Sequence, residues 1–552
     1  MTQTEFTLFA PYNAEAALLG DFSDWQALPM QKGQDGVFRV SVDLEDGEYQ
    51  YKFRVASESY FVARGTLLEL ADPYATRVTD DEHQNTVTTV RGGQHVLDDY
   101  VWQHDDAPLP PDDALVVYEL HVGDFSGGEA NAEGRGTYQD VLDKLDYLTD
   151  LGVNAVELMP VEQYPGSYSW GYNVRYYFSA EPHYGPSEDL KRFIDACHAR
   201  GIRVLLDMVF NHSEADSPLT QINFDYWYLR EPKDPNNSWG PEFDYVKYDS
   251  ELNLFPARKF IGDVVRFWVE HYHVDGIRFD AAKPLGNYDA LRTFVAVAKE
   301  TAGAKPFYTV AEYLPETPSI TGPDGPTDAC WHDGFMWTLV DLLTGRSRDL
   351  ERLKTVLDGK RQGFPGTSNL VNYLSNHDHD HLMGQLGDAG MFGDEAFRRL
   401  KLGVALQMTA LGVPLVWMGE EFGEYQHKVQ SADKLEWTLL ANDNNRDLLE
   451  TYRGLIHLRT QNAALHTANI DFFHENAPSG VLAYVRWNDE GSRVVVVANV
   501  SSDYLGGYAV PNFPADGRWH EWTRDYDVNA QNGTLTLDLP PLEAKVFVYG
   551  GS

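Results

Sequence analysis

GIRFDAAK (276–283) sets an apolar run against an acidic residue, Asp280, with small residues following. Two other segments repeat the pattern. VAEY (310–313) carries Glu312, and NHDHDH (376–381) carries Asp378 after the apolar run LVNYL. Each reads as a buried strand with a carboxylate at its end. Similar strands recur from residue 114 onward: LVVYELHV (115–122), VNAVELMPV (153–161), IRVLLDMVF (202–210), GIRFDAA (276–282), FYTVAEY (307–313), LVNYLSNHD (370–378) and VPLVWMGEEF (413–422). One more is expected near Gly334–Val340. Unbroken apolar stretches of this kind belong to parallel strands covered on both faces.

Helices fall between them. In PSEDLKRFIDACHARG, Leu190, Phe193, Ile194 and Cys197 recur at i, i+3, i+4 and i+7, with Pro186 near the start and Gly201 past the end. Ile261, Val264, Val265, Trp268 and Tyr272 repeat the stripe before the fourth strand. Seven or eight such units predict an α/β fold, a (β/α)8 TIM barrel, whose site lies at the C-terminal strand ends. All three acidic residues fall near such ends. After the third strand the chain runs through a long stretch, about 211–258, rich in Asn, Asp, Pro and Tyr. So long a connection is rarely idle and often covers a site.

The chain of 552 residues is long enough for about three domains. In residues 1–90, Phe38, Val40, Val42 and Leu44 alternate with polar residues, as do Tyr49, Tyr51, Phe53 and Val55, and Asp-Gly turns sit at 35–36 and 46–47. A small β-sandwich is expected there. After about 465 short strands return: VLAYVRW (481–487), RVVVVANV (493–500), TLTLDL (534–539) and KVFVYG (545–550). The expected domains are therefore an N-terminal β-sandwich at 1–105, the barrel at 106–462 and a C-terminal β-sandwich at 463–552.

Net charge is −40, from 84 acidic against 44 basic residues. That sign opposes a nucleic-acid partner or an anionic membrane and leaves a neutral substrate open. Two cysteines, Cys197 and Cys330, make neither a disulfide framework nor a zinc pattern. MTQTEFTLFAPYN lacks a signal-peptide pattern and no apolar run reaches membrane-spanning length, so a soluble cytoplasmic protein is expected. Thirteen Trp and 31 Tyr exceed what packing needs, and some can serve as stacking platforms for sugar faces.

Three carboxylates around one pocket suit cleavage of a glycosidic bond. A retaining mechanism needs an ionised carboxylate below the anomeric carbon and a protonated carboxyl beside the leaving oxygen, about 5–5.5 Å apart. Arg278, two residues before Asp280 and on the same strand face, is expected to keep that nucleophile ionised.

DMVFNH (207–212), GIRFDAAK (276–283), TVAEY (309–313) and LSNHD (374–378) resemble, in order, the short conserved regions of the alpha-amylase superfamily, glycoside hydrolase family 13. SWGYNVRYYF (169–178) is similar to its Gly-Tyr segment lining the cleavage subsite. The likeness covers roughly 114–460. It implies that Asp280 is the nucleophile and Glu312 the general acid/base, while Asp378 holds the sugar 2- and 3-hydroxyls. It further implies that His212 and His377 bond the bound glucose, that Tyr172 stacks on it beside Trp170, and that Lys283 contacts sugar beyond the scissile bond. Asp207 would support the site. No cofactor is needed for the chemistry. A structural calcium is implied, with Asn211 a candidate ligand, although the partner position after Lys283 is Pro284 where the family usually has histidine. The histidines of NHDHDH make a zinc site only if the strand continues through them, and it is expected to end first.

The N-terminal region resembles the glycogen-binding-type module of branching and debranching enzymes through GDFSDW (20–25), GEYQYKF (47–53) and DPYA (72–75). Trp25 is there a candidate for stacking on glucan, with a core or interdomain role as the alternative. NHD (376–378) and Lys283 resemble hydrolytic members; VVYELHVGDF (116–125) and MGEEFGE (418–424) resemble branching enzymes and malto-oligosyltrehalose trehalohydrolases. The expected activity is alpha-amylase-type hydrolysis of α-1,4 bonds in maltooligosaccharides, starch or glycogen, with branching the alternative and trehalose release third. A catalytically dead binding barrel would lack part of the acidic trio, and here the trio is complete.

Overall fold

Eight short parallel strands close on themselves in the computed structural model, which describes residues 1–128, 134–236, 238–429 and 432–549. They are β1 (Val117–Leu120), β2 (Ala155–Leu158), β3 (Arg203–Met208), β4 (Gly276–Phe279), β5 (Tyr308–Ala311), β6 (Ala329–Trp331), β7 (Leu370–Asn372) and β8 (Val413–Trp417), paired in chain order with β8 returning to β1. Every strand residue is buried, because side chains alternate between the barrel interior and the surrounding helices.

Register decides what reaches the rim. Arg278 pairs with Asp207 across β3 and β4, and Phe279 pairs with Ala311 across β4 and β5. Asp280 and Glu312 are thus each the first residue past their strand. The ladder extends to hold them: Asp280 N–H donates to Met208 C=O at 3.1 Å, and Glu312 N–H donates to Phe279 C=O at 3.0 Å.

The sixth strand departs from expectation. Residues 334–340 are helical, within Asp333–Leu343, and the strand is Ala329–Trp331. In FMWTLVDLL the side chains of Phe335, Met336, Leu339, Val340, Leu342 and Leu343 are all buried, a helical spacing rather than a strand's. Three apolar residues before His332 were too few to show a strand in sequence.

Two helices follow the stripes read above. α1 (Ser187–His198) buries Leu190, Phe193, Ile194 and Cys197, and Gly201 ends its turn at φ +69°. Each such side chain withdrawn from water contributes about 1.5–3 kcal/mol. α2 (Pro218–Trp227) lies inside the long third connection, and α3 (Pro256–Tyr272) leads into β4. Trp268 of α3 is fully buried and its Nε1–H donates to Tyr177 C=O at 2.9 Å.

Ahead of the barrel stand a three-stranded sheet (Thr2–Phe9, Gln31–Lys32, Val37–Leu44) and a larger sheet centred on Gly47–Ala56. Trp25 lies at the surface, 39% exposed, so the core role weighed for it does not hold. After the barrel come a six-stranded sheet containing Val481–Trp487, Arg493–Asn499 and Glu543–Tyr549, and a two-stranded one. Arg486 joins that sheet to the barrel, donating to the carbonyls of Thr409 and Ala410, each at 2.8 Å, and to those of Leu465 and Thr467. Both cysteines are buried and free. Among the described residues no helix is long and apolar enough to cross a membrane.

Candidate active site

Arg278 organises the rim. It is fully buried on β4, with its guanidinium 4.0 Å over the Trp331 ring of β6. Nη1 donates to Asp207 at 2.7 and 2.8 Å and to Asp280 Oδ1 at 3.1 Å, while Nη2 donates to Glu312 Oε2 at 2.9 Å. One planar fork therefore spans the two carboxyls singled out in the sequence. Ala281 adds a second donor: its N–H reaches Glu312 Oε2 at 2.8 Å from a left-handed backbone, φ +47°. An alanine held there costs roughly 1–2 kcal/mol. That cost is tolerated because the strained turn aims the amide into the site.

The charge balance differs from the one expected. Arg278 gives its shortest contacts to Asp207 and shares what remains between Asp280 and Glu312. Burial pushes the Asp280 carboxyl well up; Arg278 pulls against this, and the charges of Glu312, Asp207 and Asp378 add to the lift. Burial also raises Glu312, against Arg278 and the Ala281 amide. Several carboxyls crowd one cation, so burial and mutual repulsion shift both groups toward the protonated form.

Asp378 is different. Burial would raise it, but His377, Lys428 and Arg278 hold it well below the usual carboxylate range. Lys428 Nζ donates to its Oδ1 at 2.9 Å. The two site histidines also part ways. Burial lowers His212 to about 4, leaving it neutral with Nε2 3.0 Å from Tyr172 C=O. For His377 burial is overcome by the charges of Asp378 and Glu119, and its pKa rises to about 9. His377 Nδ1 donates to Glu119 Oε1 at 2.6 Å, and its Nε2 lies 2.7 Å from Tyr172 Oη. Tyr172 in turn donates to Asp207 Oδ2 at 2.5 Å and stacks on the His377 ring, centroids 5.2 Å apart.

These groups wall a cavity of about 460 Å³ that holds His212, Asp280, Glu312, His377 and Asp378, with Trp170, Tyr172 and Trp239 as aromatic sides. Asp207 stays behind the wall, buried against Arg278. Lys283 is exposed, and its ammonium donates to Leu314 C=O at 2.7 Å outside the cavity lining.

The Alpha amylase catalytic domain matches residues 124–255, the Carbohydrate-binding module 48 (Isoamylase N-terminal domain) residues 1–75, and the Alpha amylase C-terminal all-beta domain residues 473–550. Three models found in alpha-amylase-type proteins thus match this chain in order from its first residues to its last sheet. It is 28% identical to the 1,4-alpha-glucan branching enzyme of Nitrosomonas europaea, over 94% of this chain and 74% of that one. It is 26% identical to the malto-oligosyltrehalose trehalohydrolase of Saccharolobus solfataricus, over 76% of this chain and 73% of that one. The fold matches type I pullulanase from Bacillus subtilis, solved with maltose, at TM-score 0.82 and 22% identity, covering 99% of this chain and 84% of that one.

Several residues of the site were not read from sequence. Glu119 was legible in principle as a lone charge inside LVVYELHV. Trp239 and Lys428 sit in loops without periodicity and gave no signal. Ala281 was hidden because its role lies in its backbone.

The implied calcium does not fit well. Calcium takes 6–8 oxygen ligands, carboxylates prominent among them. Asn211 is buried with an unpartnered Oδ1, a single oxygen. The Pro284 carbonyl is taken by a cation of the protein's own, Lys233 Nζ, at 3.3 Å, which also donates to Leu285 C=O at 2.8 Å. Nor do the NHDHDH histidines gather for zinc. The segment follows β7 as a turn, and the ligand-type cluster found among the described residues is Asp380, Asp388 and His427.

Proposed function

We propose that the protein is a retaining α-glucan hydrolase that cleaves α-1,4 bonds of maltooligosaccharides, starch or glycogen. The observation that carries this reading is the Arg278 fork joining Asp280 and Glu312, first residues past adjacent strands, beside one cavity. One guanidinium bridging both carboxyls keeps them near each other, which suits double displacement rather than the wider gap of inversion.

In this reading the shared proton settles on Glu312 as a glycosidic oxygen approaches it, leaving Asp280 ionised. Asp280 attacks the anomeric carbon, and the leaving oxygen takes the Glu312 proton. Glu312 then accepts a proton from water, whose oxygen displaces Asp280 from the sugar and restores both groups. Asp378, kept ionised, accepts hydrogen bonds from the ring hydroxyls. Cationic His377, its two N–H groups facing Glu119 and Tyr172, places positive charge beside Asp378, and the Tyr172, Trp170 and Trp239 rings supply apolar faces. The two free thiols suit a reducing cytoplasm.

A second reading has a specific observation in its favour. The branching-enzyme relative aligns over 94% of this chain, and the Lys283 cue for hydrolysis is weakened by that side chain's turn away from the cavity. Branching uses the same first step and passes the glycosyl group to a sugar 6-hydroxyl instead of water. Purified protein with amylose separates the two. Reducing ends rise under hydrolysis, whereas iodine colour falls without them under branching. Trehalose released from trehalose-capped maltodextrin would replace both.

A further inference from the structure

A second hollow of about 400 Å³ lies where the N-terminal module meets the third connection, with Tyr60 and Phe61 on one side and Phe224, Arg230, Ser238 and Pro241 on the other. Tyr60 is 51% and Phe61 48% exposed, unusual for adjacent aromatic residues. Their ring centroids are 5.6 Å apart, nearly perpendicular, and Phe224 meets both edge-on. The Arg230 guanidinium lies 4.8 Å over the Tyr60 ring and is itself anchored to Asp225 at 3.0 Å.

The rings are fixed rather than dangling. Glu58 N–H donates to Ile222 C=O at 3.0 Å, Ser57 Oγ donates to Gln221 C=O at 2.6 Å, and Phe224 N–H donates to Ser59 Oγ at 2.9 Å. Asn13 Nδ2 bridges the carbonyls of Ala56 and Ile222 at 2.9 and 2.8 Å. A platform ordered in advance loses little entropy on binding.

This hollow also shares walls with the catalytic cavity. Ser238 and Gly240 line it, while Trp239 between them lines the cavity. Ala215 lines it too, and its neighbour Glu214 accepts from Asn173 Nδ2 at 3.3 Å, Asn173 being part of the cavity wall.

We propose that the hollow is a second α-glucan-binding site, which holds a stretch of chain remote from the bond being processed. This rests on the α-glucan reading of the catalytic cavity. Two half-exposed rings offer apolar faces to pyranose units, and Arg230 and Ser238 offer donors to their hydroxyls. A neutral polymer suits a molecule of net charge −40, and its length lets one chain occupy both hollows.

The test uses the full chain with Tyr60→Ala and Phe61→Ala together, and Phe61→Ser alone should the pair lower thermal stability. Two readouts are taken. One is retardation in a native gel containing glycogen, with Asp280→Asn as the background to prevent turnover. The other is KM for amylose against KM for maltotetraose. The expected result is roughly tenfold weaker retardation and a similar rise in KM for amylose alone. Unchanged retardation and unchanged KM for amylose in a folded variant would overturn the proposal. Retardation that depends on these rings in a protein turning over no α-glucan would sink the hydrolase reading and leave this site standing.

Discussion

Replacing Glu119 by Gln removes one charge from behind His377 while keeping its shape. His377 is held at about 9 instead of 6.5, with burial opposed by Asp378 and Glu119. That elevation corresponds to about 3 kcal/mol of preference for the imidazolium. Two carboxylates provide it, so Glu119→Gln should remove roughly half, about 1.5 kcal/mol, and lower the His377 titration by about one pH unit. The sign follows from linkage. A histidine whose folded pKa stands above its unfolded value stabilises fully below about 6.5 and gives this up as pH rises through about 9. The variant should lose it at lower pH. The assay is kcat/KM on maltodextrin and Tm, both followed from about pH 5 to about pH 10. The alkaline limb of both curves should move down by about one pH unit. Curves superimposing on the wild type would show that Glu119 does not set the charge of His377.

Three further outcomes follow from other contacts. Lys428→Met removes the ammonium at 2.9 Å from Asp378, a partner on the half-open side of the site, and should weaken KM for maltooligosaccharides about fivefold, roughly 1 kcal/mol; kinetics at neutral pH read it. Asp207→Asn strips Arg278 of its shortest ionic contacts and should cost about 3 kcal/mol in urea denaturation together with most of kcat. A change below about 0.5 kcal/mol would show that pair to be dispensable. Arg486→Ala removes a donor from five carbonyls, of which Ala410 keeps Arg459 as a second donor, and should cost about 3 kcal/mol by the same measurement.

The barrel was legible because strands buried on both faces are written as long apolar runs, and IRVLLDMVF and VPLVWMGEEF stand out at once. The sixth strand was not. Ala329–Trp331 spans three residues, and the helix after it carries the longer run of buried apolar side chains. Asp280 and Glu312 were readable as charges closing such runs. Asp378 was placed less directly, since it lies in a turn six residues beyond β7. How Arg278 divides itself among carboxylates was out of reach, because it depends on the register that sets Asp207 opposite Arg278. Lys428 and Trp239 arrive from loops, where neither period nor composition marks a residue that will face the site.

The most direct test is to look for the glycosyl group on the protein itself. Glu312→Gln, which activates no water, is incubated with a fluorinated maltosyl fluoride, and the intact mass and the peptide containing 276–283 are measured. A sugar-sized adduct on Asp280, absent in Asp280→Asn, is expected. Turnover by the wild type with no adduct on Asp280, or a product of inverted anomeric configuration, would contradict the account.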